Sequence, residues 1–123
     1  MRRAKAELLP LGVNPKNARM VGVSTIKYTR LSHPGGPPEE VVRYHDTDIV
    51  VSHSDGSQSL FTGGWPTVTT VRRMNQHITT GHRVYRQNWK LYVVYVPDWE
   101  RRAAFVEGIR IFPDGSIAIL EDE

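Results

Sequence analysis

Leu60–Ile78 reads LFTGGWPTVTTVRRMNQHI, and within it the chain passes from a strand pattern to a helix pattern. A glycine pair and a Trp-Pro step come first, and apolar residues then recur at helical spacing. This predicts an amphipathic helix of about residues 67–78, with Thr67 or Thr69 as its N-cap. Val68, Val71, Met74, Asn75 and Ile78 belong to its inner side, while Arg72, Arg73, Gln76 and His77 fall on its outer side.

Strand patterns flank this helix on both sides. The Asp-Gly steps at Asp55-Gly56 and Asp114-Gly115 are typical of tight hairpin turns. Trp99–Ala104 predicts a short helical turn capped by Asp98. The predicted strands are Met20–Leu31, Glu40–His45, Asp48–His53, Gln58–Thr62, Val84–Arg86, Lys90–Val96, Phe105–Phe112 and Ser116–Leu120.

These elements predict an α+β fold in which an antiparallel sheet of several hairpins packs on one main amphipathic helix. A length of 123 residues favours a single domain. We expect that domain to span residues 20–120, after an N-terminal arm of residues 1–19 and before an acidic tail of residues 121–123. Residues 91–96 are apolar on both faces of their strand. This pattern predicts a central strand that is covered on both sides.

The composition excludes several classes of site. The chain has no Cys, which rules out disulfide scaffolds, thiolate metal sites and Cys nucleophiles. No apolar run approaches the ~18 residues of a membrane span, so we expect no membrane association. The net charge is +3, but the acidic tail hides a charge of +6 on residues 1–120. Twelve of the 16 basic residues are Arg, which grips phosphate and carboxylate in a fork geometry.

One pattern resembles a known group of proteins. The run Tyr44–Val51 contains Thr47-Asp48-Ile49-Val50, an Asp55-Gly56 turn follows, and Thr62–Thr70 then reads TGGWPTVTT ahead of Arg73 and Asn75. Across residues 41–96 this order resembles small uncharacterised phage-encoded proteins. The resemblance implies a phage or prophage origin and a location in the host cytoplasm, and it brings no activity with it.

The glycine loop before the helix has two interpretations. A helix N-terminus preceded by glycines and threonines is a place where anions bind, although the spacing and Lys of a P-loop are absent. The other interpretation is architectural: Gly63 and Gly64 turn the chain, Trp65 fills the core and Thr67 caps the helix. We expect these four residues to be structural anchors.

Histidines and acids also suggest catalytic or metal sites. His45 and His53 would lie roughly 26 Å apart on one straight strand, too far to share an ion, so we expect neither a metal nor another cofactor. The tripeptides 45–47 and 77–79 share the H-x-T pattern of certain phosphoesterases. An enzyme of that kind would need His45, Asp48 and His77 within hydrogen-bond reach, and we expect no catalytic residues.

The basic residues predict a binding surface. They lie on the helix and the hairpin after it, together with an aromatic side chain, a combination that suits a nucleic-acid backbone and base stacking. We therefore expect a non-enzymatic phage accessory protein that binds nucleic acid or a host protein, in an undetermined oligomeric state. In the host-protein alternative, Trp65, Trp89 and Trp99 are anchors. The predicted binding residues are Arg72, Arg73, Gln76, Arg83, Arg86, Trp89 and Lys90.

Overall fold

Antiparallel strands form most of the protein, and one short helix joins them. A computed structural model describes residues 8–64 and 66–119. Within these ranges a 3-10 turn at Pro15–Asn17 precedes the first strand, and helix α1 spans Val68–His77. The strands are β1 (Ala18–Gly22), β2 (Thr25–Leu31), β3 (Pro38–Tyr44), β4 (Thr47–Ser52), β5 (Gln58–Leu60), β6 (His82–Gln87), β7 (Lys90–Tyr95), β8 (Asp98–Ala104), β9 (Ile109–Ile111) and β10 (Ile117–Ala118).

The strands form two sheets. The large sheet has seven strands in the order β1-β2-β3-β4-β5-β9-β10, and the small sheet has three in the order β6-β7-β8. The first five strands of the large sheet are neighbours in sequence and in space. After β5 the chain leaves to form α1 and the small sheet, then returns as β9 beside β5. The mixed α+β class is confirmed, while the prediction of one sheet is wrong because β6–β8 pair only with one another.

The centre of the large sheet is buried on both faces. Val41 pairs with Val51 and Val42 pairs with Val50 across β3 and β4, and all four are buried. Since side chains alternate along a strand, the two pairs point to opposite faces. The Val42 face meets α1 and the small sheet, including Met74, Val84 and Val93. The Val41 face packs with Ile26 and Tyr28, and is bordered by Leu8, Leu9, Val13, Met20 and Phe61.

Helix α1 begins where the sequence predicts. Thr67 is the N-cap, and its hydroxyl accepts a hydrogen bond of 3.1 Å from the amide of Thr70. Met74 is the helix's apolar contribution to the buried core, with Val71 packed at its margin. The helix is therefore a small part of a core that is built mainly by strands.

Two predicted elements differ from the structure. Met20–Leu31 is not one strand but the hairpin β1–β2, because the chain reverses at Ser24, whose φ is +50°. Residues 98–104 form strand β8 rather than a helical turn, since they pair with β7 over Tyr92–Tyr95. In both places pairing with a neighbouring strand outweighs the local sequence preference.

The predicted strand Phe105–Phe112 is too long. Only Ile109–Ile111 pairs in the sheet, and residues 105–108 form a loop. Gly108 has a φ of +82° and its amide donates to the carbonyl oxygen of Leu60 at 2.8 Å, so the chain turns before it enters β9.

The ends of the chain lie partly outside the described residues. The predicted arm is described from residue 8 onward, and β1 begins within it at Ala18. The acidic tail at 121–123 and Trp65 lie outside the described residues. No helix in the described part is long and apolar enough to cross a membrane.

Asn75 ties α1 to the free edge of the small sheet. Its side-chain amide donates to the carbonyl oxygen of Val84 at 2.9 Å and its side-chain oxygen accepts from the Val84 amide at 2.8 Å. Because Val84 is buried, Asn75→Ala leaves both peptide groups unpaired, and we expect the free energy of unfolding to fall by about 1–3 kcal/mol. Urea denaturation measures this. Gln76→Ala, at the exposed next position, serves as the control, and an equal loss in both variants would contradict the role of Asn75.

We expect two histidines, the buried His82 and the half-buried His77, to make stability depend on pH. Burial lowers the pKa of His82, whose Nδ1 lies 2.7 Å from the Thr80 hydroxyl. Burial and then the charges of Lys27 and Arg73 lower the pKa of His77. The unfolded chain then takes up protons at about pH 6.5 while the folded chain does not, so stability is complete above that pH and falls below it.

We therefore expect His77→Gln and His82→Gln each to flatten the decline in urea midpoint between about pH 7 and pH 5. His33→Gln, at an exposed position, should leave the decline as in the wild type. The comparison uses the slope against pH rather than absolute stability, so a general loss of stability does not imitate the effect. Unchanged slopes in both variants would refute the assignment.

Candidate nucleic-acid interface

Charge is divided unequally between the two sheets. Residues 66–104, which form α1 and the small sheet, contain seven basic and two acidic residues, a net charge of +5. Residues 18–60, the first five strands of the large sheet, contain four basic and five acidic residues, a net charge of −1. Among the described residues, the positive charge is therefore concentrated on one side of the large sheet.

Ion pairing increases this contrast. Every Lys and Arg on a strand of the large sheet forms an ion pair: Arg19 and Lys27 with Glu40, Arg30 with Glu39 and Asp48, Arg43 with Asp48, and Arg110 with Asp55. On α1 and the small sheet, Arg101 pairs with Asp98. Six other cations there form no ion pair with any residue in 8–64 or 66–119: Arg72, Arg73, Arg83, Arg86, Lys90 and Arg102.

A groove between α1 and β6 gathers most of the predicted binding residues. We call it the helix groove; its volume is about 480 Å³. Its floor is partly apolar, with Val71 and Val84, while charged and amide groups form its walls. Those wall residues are Arg72, Gln76, Arg83 and Arg86, all of them exposed and all predicted from the sequence.

The outer face of the small sheet carries a second set of groups. Tyr85 on β6 stacks on Tyr92 of β7 with ring centroids 5.6 Å apart, and the Trp99 ring lies 6.1 Å from Tyr85. Tyr85 and Tyr92, with Arg102, also line a depression of about 420 Å³. We call Tyr85, Tyr92, Trp99 and Arg102 the aromatic face; Tyr85 also lines the helix groove and so connects the two.

Sequence reasoning missed Tyr85, Tyr92 and Arg102 as members of the site. The signal was present in the hairpin register: a two-residue turn at Asn88-Trp89 sets Gln87 opposite Lys90 and therefore Tyr85 opposite Tyr92. Arg102 could not be found this way, because β8 was predicted as a helical turn.

The hairpin tip presents Trp89 to solvent. Asn88 and Trp89 both have positive φ angles, +51° and +66°, as a two-residue hairpin turn requires. The Trp89 side chain is 93% exposed, and with Arg86 it lines an open depression of about 350 Å³ beside the glycine loop. Trp89 and Lys90 therefore extend the basic surface at the end of the hairpin.

Arg73 lies apart from the groove. A Cβ atom added to Gly22, in the β1–β2 hairpin, would be 2.8 Å from its Nη1. Its Nε is buried without a hydrogen-bond partner among the described residues, and Nη1 lies 3.4 Å from the Gln76 side-chain oxygen. The structure thus places Arg73 against the large sheet, although the helical pattern puts it on the outer side.

The glycine loop, residues 62–64, binds the carboxylate of a residue later in the chain. The carboxylate of Glu107 accepts hydrogen bonds from the Thr62 amide at 2.9 Å, the Thr62 hydroxyl at 3.0 Å and the Gly64 amide at 3.2 Å. Gly63 and Gly64 have positive φ, and a Cβ at Gly63 would lie 2.7 Å from the Thr47 hydroxyl. The donors that could bind a phosphate are therefore used to fasten the loop before β9.

The predicted phosphoesterase set does not assemble. Among the described residues His45, Asp48 and His77 form no hydrogen bond with one another; Asp48 instead accepts from Tyr28 at 2.9 Å and from Arg43 at 3.0 Å. Burial first, and then Asp48, raise the pKa of Tyr28 to about 12. Within residues 8–64 and 66–119, no group of three or more His, Asp and Glu side chains is arranged to hold a metal ion.

Comparison with known proteins gives the family. The model of a family described as Kyanoviridae Gp96 protein matches residues 24–112. The chain belongs to this family. The Kyanoviridae Gp96 match runs from just before β2 to just after β9, so it includes α1 and the whole small sheet, and it confirms the expected phage origin. No curated protein and no solved structure matches the chain.

The contacts of Glu107 predict a change in hydrogen exchange. Glu107→Ala removes the acceptor of the Thr62 and Gly64 amides, and because a lost charged hydrogen bond is worth about 1.4 kcal/mol or more, we expect these two amide protons to exchange about 10-fold faster or more. Glu100→Ala removes an equal charge from an exposed position on β8 and is the control. NMR-detected exchange measures both variants. Equal rates at Thr62 and Gly64 in the wild type and in Glu107→Ala would contradict this arrangement.

Proposed function

We propose that this phage protein binds single-stranded nucleic acid in the host cytoplasm, through the helix groove and the aromatic face. One observation carries the proposal: five exposed cations without an acidic partner in the described structure surround a set of accessible aromatic rings. Phosphates are the natural counter-charges for such cations, and base faces stack on such rings.

The charge distribution supports an electrostatic mode of binding. On the large sheet, acids on neighbouring strands pair with the bases and neutralise them, so a polyanion gains little there. On α1 and the small sheet, the guanidinium groups of Arg72, Arg83 and Arg86 border one groove, where Arg can grip phosphate oxygens in a fork. Five phosphate contacts to a single strand would give a slope of about −3.5 in log affinity against log salt.

The aromatic face favours a single strand over a duplex. In a duplex the base faces are hidden by stacking, and only phosphates and groove edges are presented. Tyr85, Tyr92 and Trp99 lie on an open sheet face and can stack only on bases that are unpaired. Stacking accepts every base, so binding should be weakly selective for sequence.

A host-protein partner is the second candidate, and one observation favours it. Trp89 is 93% exposed at a hairpin tip, and Trp is the side chain most enriched among interface hot spots. Under this alternative Trp89→Ala abolishes binding to the host protein, while nucleic acid has no effect on the protein at any salt concentration.

The first experiment measures fluorescence anisotropy of labelled 20-nucleotide single strands, as DNA and RNA, and of a matched duplex at low salt. We expect Arg83→Ala/Arg86→Ala to weaken single-strand binding about tenfold or more and to make the salt slope shallower by about 1.4. Arg19→Ala/Lys27→Ala removes the same charge from cations that are paired with Glu40 and should bind as the wild type does. Absence of single-strand binding, or an equal loss in both double variants, would refute the proposal.

The aromatic contribution has its own test. Tyr92→Ala removes one stacking surface, and since stacking contributes about 1–3 kcal/mol per base, we expect single-strand affinity to fall about fivefold or more. Tyr92→Phe keeps the ring and should bind as the wild type does. If Tyr92→Ala bound as tightly as the wild type, binding would be electrostatic without stacking. That result would contradict the role given to the aromatic face.

A further inference from the structure

Three side chains on the outer face of the large sheet form one hydrogen-bonded chain. Glu39 lies on β3, His53 directly follows β4, and Ser59 lies on β5. The Glu39 carboxylate is 2.6 Å from Nδ1 of His53, and the Ser59 hydroxyl oxygen is 2.7 Å from Nε2 of the same ring. Each partner thus uses a different nitrogen of His53.

The strand register brings these residues together. Glu40 pairs with Ser52, and Ser52 pairs with Gln58, so the residues next to them share the opposite face of the sheet. That face carries Val41 and Val51, on the side away from α1 and the small sheet. The three side chains are therefore separate from the surface proposed to bind nucleic acid, and the inference does not depend on that proposal.

The order of atoms matches that of acyl-transfer triads. A carboxylate on Nδ1 keeps the proton of a neutral imidazole there, which leaves the lone pair of Nε2 to accept the serine proton. Serine is activated in this way on unrelated folds: it hydrogen-bonds to a base, and a third group orients that base.

The surroundings suit these roles. Glu39 is 8% exposed, and Arg30 Nε donates to its carboxylate at 3.4 Å, so the acid is held in place. His53 is half-buried and Ser59 is 8% exposed. Arg110 on β9 pairs with Ser59 on β5, and its Nε and Nη2 donate to Ser57 at 2.8 Å and to Asp55 at 2.9 Å.

We propose that Ser59 is a catalytic nucleophile for carboxylic esters with small acyl groups, that His53 is its general base and that Glu39 is a positioning residue. The small acyl group follows from the limited exposure of Ser59. This activity would add to nucleic-acid binding and would replace the expectation of a non-enzymatic protein.

The reaction needs only water as co-reactant. The Ser59 oxygen bonds to the ester carbonyl carbon while its proton passes to Nε2 of His53, and the carbonyl π pair becomes an oxyanion. The oxyanion collapses, the bond to the alcohol oxygen breaks, and that oxygen takes the proton from His53. Water then attacks the acyl-serine, giving its proton to His53, and the carboxylic acid leaves as the proton returns to Ser59.

A fluorophosphonate probe tests the nucleophile, because an activated serine displaces its fluoride and becomes covalently phosphonylated. The full-length protein is incubated with the probe, and peptide mapping by mass spectrometry locates the adduct. We expect one adduct, on Ser59, and its loss in Ser59→Ala. Ser32→Ala removes an exposed serine and should be labelled as fully as the wild type. No adduct, or an adduct on another residue, would overturn the proposal even if a variant fails to fold.

The labelling rate tests the other two residues. The charged groups around His53 are Glu39, Arg30 behind it, Asp55 and Arg110. We expect His53→Gln to lose at least about 100-fold in labelling rate, because Ser59 then lacks its general base. Glu39→Gln should lower the rate, and Glu39→Asp, which keeps a carboxylate, should recover part of it. Equal rates in Glu39→Gln and the wild type would contradict the role of Glu39.

Discussion

The pairing of Val41 with Val51 and of Val42 with Val50 is the contact on which the rest of the structure depends. It buries both faces of the β3–β4 hairpin and so gives the large sheet two different sides. One side is covered by α1 and the small sheet. The other side is bordered by residues 8–13 and carries polar side chains beyond its apolar centre. Each side holds one of the proposed sites, and neither site would be positioned if the hairpin lost its register.

The distribution of ion pairs also differs between the two sheets, because acidic residues are placed differently in them. Glu39, Glu40 and Asp48 lie on β3 and β4, where neighbouring strands place Arg and Lys within ion-pairing distance. In the small sheet the acidic residues lie only on β8, where Asp98 forms an ion pair with Arg101. The other cations of α1 and β6–β8, apart from Arg73, are exposed with aromatic rings between them, and none forms an ion pair with a described residue. The glycine loop does not share this property, because Glu107 already occupies its donors.

Local sequence signals made part of the fold and part of the candidate binding surface predictable. Thr67, the helical spacing after it and the Asp-Gly turns identified α1 and two hairpins, and Arg72, Arg83 and Arg86 follow from helix and hairpin patterns. The other features could not be predicted, because they depend on pairing between residues that are far apart in the sequence. Nothing local marks the turn at Ser24, or the pairing of residues 98–104 with β7. The chain from Glu39 through His53 to Ser59 depends on the register of three strands, and the displaced position of Arg73 depends on contact with another sheet.

Chemical-shift mapping with a single-stranded oligonucleotide tests most directly whether the unpaired cations and the aromatic rings form one binding surface. Amide shifts of the ¹⁵N-labelled protein are followed as a short oligothymidylate is added at low salt. We predict that the large changes fall within residues 68–104, with Arg83, Tyr85 and Tyr92 among them, and that the outer face of the large sheet stays unchanged. Changes centred on β2, β3 and β4, or none at saturating oligonucleotide, would contradict this assignment.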